Sequence, residues 1–258
     1  AINSIKHRGP DEDGFYANGK VCLMNTRLSI IDLSNGIQPF TNDDSSVVVV
    51  QNGEIYNYLE IKDFLIKKHN TEFQTNSDTE VILKAYEVFG DECFSHFNGM
   101  FSIAIFDARK NKVLLTRDRL GVKPLYICKL NDRILFYSEI KTFLSAEDFT
   151  GDINNQSIHN YLKFNYIPLP ETIFSSVSHV MPGTSIEIDL NDFTFKTKKY
   201  WEIRNTKEND ISEKELFEKM DEVLNDAIRI RLRSDVEIGA FLSGGLDSSL
   251  VSAMTKKN

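Results

Sequence analysis

Phe101-Ser102-Ile103-Ala104-Ile105-Phe106 is an apolar run rich in β-branched and aromatic residues, and Asp107-Ala108-Arg109-Lys110-Asn111 interrupts it before residues 112–116 turn apolar again. Two short β-forming runs around a polar turn make a hairpin, so this stretch is read as a pair of antiparallel strands. On its C-terminal side, residues 125–129, 134–137, 185–188 and 193–200 repeat the short, turn-bounded form. On its N-terminal side, Val21-Cys22-Leu23-Met24 and Val47-Val48-Val49-Val50 are further strand candidates. Two helices lie between the strands. Residues 58–69 carry Leu59, Ile61, Phe64, Leu65 and Ile66, while residues 78–89 set Val81, Ile82, Ala85 and Phe89 on one face behind Ser77 as N-cap. Hairpin-linked strands with helices packed outside them predict an α+β fold.

The pattern changes near residue 205. Residues 205–211 are polar and form the best linker candidate. Ser212-Glu213-Lys214-Glu215 then has capping-box spacing. Leu216, Phe217, Met220, Val223, Leu224, Ala227 and Ile228 follow as a helical stripe. Ile238-Gly239-Ala240-Phe241-Leu242 is read as a buried strand opening onto Ser243-Gly244-Gly245-Leu246-Asp247-Ser248-Ser249, with a helix behind the loop. Glycines let backbone approach a ligand, and N–H groups at a helix start hold phosphate oxygens. The Walker A spacing and its lysine are missing. A strand, loop and helix of this kind predict the start of a nucleotide-binding α/β domain.

Composition narrows the function classes. The 258 residues are 41% hydrophobic and 26% charged, with a net charge of -8 and no long basic run, which argues against a nucleic-acid surface. No stretch approaches the roughly 18 consecutive apolar residues of a membrane span. Cys22, Cys93 and Cys128 lie far apart in apolar surroundings, and are read as buried small hydrophobes in a reducing, cytoplasmic compartment. The first residues lack an initiator Met and a signal-peptide pattern, and both ends look cut.

Several residue groups carry chemistry. Asn52-Gly53-Glu54 offers a side-chain amide beside a glycine N–H, a donor pair suited to an oxyanion. Taken alone, Asn-Gly is a hairpin-turn signal, and the turn is the preferred reading. Arg27, at a strand end, has the fork geometry that clamps a carboxylate, and Asp78 accepts from an ammonium group, although each also suits a structural ion pair or cap. His7-Arg8-Gly9-Pro10-Asp11 is read as a loop ordered by ionic contacts, and Arg117-Asp118-Arg119 as a surface or interdomain ion-pair run.

The ordered set His7–Asp11, Arg27-Leu28-Ser29-Ile30-Ile31-Asp32, Asn52-Gly53-Glu54-Ile55-Tyr56-Asn57, Ser77-Asp78-Thr79-Glu80 and Phe97-Asn98-Gly99-Met100-Phe101 resembles the asparagine synthetase family, and within it the class II glutamine amidotransferase domain. The runs from Arg117 to Tyr126 and from Ser138 to Lys141 belong to the same resemblance, and 243–249 resembles the family's pyrophosphate loop. It implies an αββα N-terminal-nucleophile sandwich over residues 1–204, and the start of a truncated α/β ATP-pyrophosphatase domain over 205–258. The implied activity is hydrolysis of glutamine, with the ammonia passed through a tunnel to an aspartate activated by ATP as an acyl-adenylate, giving asparagine. Arg27 would hold the glutamine carboxylate and Asp78 its amino group, with Leu28, Ser29, Ile30 and Ile31 lining the pocket. Asn52 and Gly53 would form the oxyanion hole, beside Glu54. Leu242, Ser243, Gly244, Gly245, Leu246, Asp247 and Ser248 would contact ATP, with Asp247 a partner for Mg²⁺. A homodimer is the candidate assembly.

The resemblance is incomplete. The family nucleophile is an N-terminal cysteine with its own α-amine as base. Position 1 is Ala, and Cys22 falls inside a strand pattern and is read as core. The residues as written are therefore expected to lack glutaminase activity, and one strand and one helix of a nucleotide-binding sheet are expected not to make asparagine. Two other readings stand beside this one: a relative amidating a different carboxylate, and a non-catalytic glutamine-binding module.

Overall fold

The computed structural model describes residues 1–204 and 211–257. Residues 205–210, all but the last residue of the proposed linker, therefore lie outside the described residues, and with them the 204/205 boundary. The chain opens with a single helical turn, α1 (Ile2–Ile5), followed by a hairpin of β1 (Glu12–Ala17) and β2 (Cys22–Arg27). A short β3 (Phe40–Thr41) precedes β4 (Val47–Ile55), and two helices follow, α2 (Tyr58–His69) and α3 (Asp78–Phe89). Asn70 ends α2 in a left-handed conformation, and Gly90 ends α3 at φ 57, while Ser77 accepts from the Thr79 amide at its start.

The predicted hairpin is β5 (Gly99–Asp107) with β6 (Lys112–Arg117). Asp107 ties its turn, accepting from the amides of Arg109 and Lys110. Next come β7 (Tyr126–Lys129), β8 (Ile134–Tyr137), α4 (Asn155–Phe164), β9 (Val177–His179), β10 (Thr184–Asp189) and β11 (Phe195–Lys199). A six-stranded antiparallel sheet runs β11-β10-β6-β5-β4-β3, and a three-stranded antiparallel sheet runs β8-β7-β9.

The centre of the large sheet, β4 to β6, is buried on both faces, which is why β4 and β5 read as continuous apolar runs instead of alternating ones. Val47, Val49 and Ile55 of β4 pack with Ile61, Leu65, Val81 and Ile82 of the helices. Val48 and Val50 point the other way, against Leu23 of the hairpin and Leu125 and Ile127 at β7. Behind the small sheet, Phe143 from the helical turn at Ile140–Ser145 packs on Cys128 and Val177. Helix, sheet, sheet and helical turn stack in that order, the αββα arrangement of the prediction.

Beyond the gap, α5 (Glu213–Arg231) starts with the predicted capping box, Ser212 accepting from the Glu215 amide and Glu215 from the Ser212 amide. The last helix is α6 (Leu246–Lys257). Two expectations fail here. Residues 238–242 form no strand and are exposed, Phe241 fully, because among the described residues no strand lies alongside to pair with them. Cys22 is exposed, not core: it faces outward at the start of β2, while Leu23 beside it is buried. Cys93 and Cys128 are buried, and all three thiols are free.

Candidate functional site

The open end of β2 and the C-terminal half of β4 meet the start of α3 around a pocket of about 210 Å³. Its lining includes Arg27, Leu28, Ile30, Ile31, Asn52, Gly53, Glu54 and Asp78, residues scattered over fifty positions of sequence that the sandwich brings to one place. Ser29 is not among them; its amide donates to the Asp11 carboxylate instead. The preferred turn reading of Asn52-Gly53 is wrong. Both lie inside β4, Asn52 opposite Ser102 and Gly53 opposite Phe101, because the long pairing with β5 overrides a local turn signal. Gly53 sits at φ 141 and its Cα faces the Met100 carbonyl so closely that a Cβ would collide with it. Only glycine suits this position.

Each polar group has a definite state. The Asn52 side-chain nitrogen is buried and has no hydrogen-bond partner. Arg27 donates from Nη1 to Glu12 at 2.7 Å, and from Nη2 to the carbonyls of Ile31 and Asp32 at 2.8 Å each. Its guanidinium is thus fixed by the loop it would serve. Gly36 permits this, since a side chain there would strike Nη2. Asp78 accepts from Gln51 Nε2 at 2.8 Å and from the Ile55 amide at 2.9 Å. Burial raises the Asp78 pKa against those hydrogen bonds. Burial also raises that of Glu54, helped by the charge of Asp78 and opposed by Lys123. The pocket therefore holds two desolvated acids, an anchored guanidinium and an unsatisfied amide donor.

Sequence reasoning missed Gln51 and Lys123, which also line the pocket. A glutamine within a strand and a lysine in a loop give no signal of their own. Arg117 and Asp118, expected in a surface or interdomain ion-pair run, are buried instead. Asp118 is buried and accepts from the amides of Phe101, Leu120, Val122 and Lys123, while Arg117 donates to the carbonyls of Gly121, Lys123 and Val180. The pair is the internal frame of the loop that carries Lys123. The ionic reading of His7-Arg8 holds: both meet Glu139, at 3.0 and 3.4 Å. Lys141, His7 and Arg8 together outweigh the burial that pushes the Glu139 pKa up, and leave it lowered.

The glycine loop lies apart from this pocket and shares no lining residue with it. Gly244 adopts φ 83, and Ser243 Oγ lies 2.9 Å from Ser248 Oγ across the loop. Asp247 falls in the first turn of α6. No group of three or more metal-ligating side chains occurs among the described residues, and none of their helices is long and apolar enough to cross a membrane.

Residues 1–201 match the glutamine amidotransferase domain family, and residues 219–258 match the asparagine synthase family. Two asparagine synthetases [glutamine-hydrolyzing] of Bacillus subtilis (strain 168), numbered 1 and 2, are 38% and 40% identical to the chain. The matches cover 98% and 96% of this chain and 39% and 34% of those proteins. The chain thus spans from about a third to about half the length of the curated relatives it matches. Among solved structures, a glutamine phosphoribosylpyrophosphate amidotransferase from B. subtilis superposes with a TM-score of 0.54 at 15% identity, over 99% of this chain and 60% of that one, a likeness of fold.

Proposed function

Because this chain belongs to the glutamine amidotransferase domain family, we propose that its pocket binds free glutamine and positions it for hydrolysis to glutamate and ammonia, and that the ammonia serves ATP-dependent synthesis of asparagine from aspartate. The observation that carries this reading is the meeting of Asn52, Gly53, Arg27 and Asp78 in one pocket. The unpartnered Asn52 Nδ2 and the Gly53 N–H are the donors for the oxyanion formed when the side-chain amide is attacked. Asp78, already buried and hydrogen-bonded, gains the charge partner it lacks when an α-ammonium group arrives. Arg27, held by Glu12 and the loop carbonyls, faces the α-carboxylate. The nucleophile implied by the resemblance is a cysteine thiolate at the family's N-terminus, and none of Cys22, Cys93 and Cys128 lines the pocket.

The second half-reaction is supported by the loop 243–249 at the start of α6, whose open glycines suit close approach of phosphates. Asp247 would hold Mg²⁺ together with phosphate oxygens of ATP, an arrangement of one carboxylate plus substrate ligands that this ion accepts, and the ion would offset charge on the phosphates. Three free thiols suit a reducing cytoplasm. The test is to incubate the native gene product with glutamine, aspartate and MgATP, following glutamate, asparagine, AMP and pyrophosphate. Equal yields of asparagine and AMP are expected. Turnover of another carboxylate in place of aspartate would overturn the acceptor, and failure to release glutamate would overturn the whole reading.

A further inference from the structure

The pocket loop at residues 28–32 is held from outside the pocket. Asp32 is a non-glycine residue at φ 49, a conformation that persists only where neighbours over-determine it. Its carboxylate accepts from the amides of Asn35 and Asn76, at 3.1 and 2.8 Å, and its carbonyl accepts from Arg27. Its own amide donates to Asp235 Oδ2 at 2.7 Å, and the Asp235 amide donates to the Ile30 carbonyl at 2.9 Å. This reciprocal pair closes a ring across Ile30 to Asp32. Two residues earlier, Arg233 donates to the Tyr56 carbonyl and forks onto the Glu60 carboxylate, and Arg231 stacks its guanidinium 4.5 Å from the Tyr56 ring centre. Arg231 is the last residue of α5 and residues 232–235 follow it, all inside the stretch that matches the asparagine synthase family. They grip the loop after β2, which lines the pocket, and the chain that leaves β4 just beyond it.

We propose that Asp235 is a positioning residue for the glutamine site, a strap by which the synthase-matching region sets the shape of the loop at residues 28–32 and, through it, the direction of Arg27. The inference rests on the glutamine reading above. Arg27 Nη2 is oriented by the carbonyls of Ile31 and Asp32, so a loop released at Asp32 loses its hold on the guanidinium. Among the described residues no hydrogen bond joins the loop to Asn52, whose nitrogen is unpartnered, or to Gly53. The effect therefore falls on substrate affinity and leaves the chemical step in place. Movement of α5 on its own domain would be felt at the glutamine carboxylate, which makes the strap a route for coupling the two half-reactions.

The test uses the native gene product with Asp235→Ala and Asp235→Asn, the second retaining a side-chain oxygen that accepts from the Asp32 amide. Two readouts are taken: steady-state glutamine hydrolysis, and amide hydrogen exchange over residues 28–33. Asp235→Ala is expected to raise KM for glutamine about tenfold with kcat held within about twofold, and to speed exchange at Asp32 about tenfold. Asp235→Asn is expected to lie near the unsubstituted protein in both. Unchanged exchange in Asp235→Ala overturns the strap, and faster exchange with an unchanged KM overturns its role in positioning. Asp235→Asn matching Asp235→Ala would overturn the hydrogen bond as the cause. A protein that hydrolyses no glutamine refutes the glutamine reading, and the exchange data still decide whether Asp235 holds the loop.

Discussion

Asn52 presents a buried nitrogen that nothing satisfies. Leaving a donor in that state costs about 1–3 kcal/mol. A donor aimed at charge that develops only during reaction would carry that cost, and Asn52→Ala is expected to lower kcat for glutamine hydrolysis by about 10²–10³-fold with KM little changed. A coupled glutamate assay reads both; an equal rise in KM would mean ground-state binding instead. Glu54 makes a different prediction. Its folded pKa is raised, by burial first and the Asp78 charge second, so the folded state holds the proton more tightly than the unfolded one. Its contribution to stability is complete below the ordinary carboxylate range and is lost as pH climbs through the raised value. Glu54→Gln is therefore expected to raise the melting temperature by about 2 °C at pH 7.5, with the two curves converging towards pH 4. A difference that persisted at low pH would show that the gain came from packing.

Strand β4 shows where local sequence and tertiary pairing part company. Its first half was legible because four consecutive valines have few other uses, and the β5–β6 hairpin because an Asp-anchored polar turn separates two apolar runs. The helices were legible at their ends, where Ser77, Ser212 and Glu215 announce caps. The second half of β4 was not, since Asn-Gly inside a strand is legible only through the register with β5, which no local window contains. Residues 238–242 failed for the opposite reason, having a strand's composition with no strand beside them. Gly53→Ala tests the register argument: φ 141 and the Met100 carbonyl both forbid a side chain, and a loss of about 2–4 kcal/mol is expected by denaturant unfolding, with glutamine hydrolysis abolished. A fully stable variant would refute the pairing at that position. In the small sheet, His179 of β9 lies against Tyr126 with Nδ1 buried and unpartnered; burial first, then the charge of Arg117, lowers its pKa to about 4. Kept neutral when folded but free to charge when unfolded, it costs stability as pH falls from about 6.5 to about 4, at up to about 1.4 kcal/mol per pH unit. His179→Phe, which keeps the stacking, is expected to flatten that acid limb and leave stability at pH 8 unchanged.

On the scale of the whole molecule, the pocket and the glycine loop were each visible in the sequence as a cluster, but their separation was not. Spacing along the chain says nothing of distance once sheets fold back. The structure gives the two clusters no residue in common and sets between them, in sequence, α5 and the residues after it, which touch α6 behind the glycine loop and, through Arg233 and Asp235, the pocket side. Chemistry at the loop can therefore be removed without touching the pocket. Asp247 is the group to remove: it lies in the first turn of α6, beside Ser243 and Ser248, and its carboxylate is not tied to the loop by any of the hydrogen bonds that shape it. Asp247→Asn preserves the helix start and loses only a charge. With ammonia supplied directly in place of glutamine, AMP formation is expected to fall about 10²-fold, the scale of losing one charged contact to a reacting phosphate group. Glutamine hydrolysis measured without ATP is expected to stay within about twofold, because no residue of the loop lines the pocket and the substitution leaves the residues after α5 unchanged. A parallel fall in both would mean that the loop supports the pocket physically, and that the 231–235 strap is not the route by which one site feels the other.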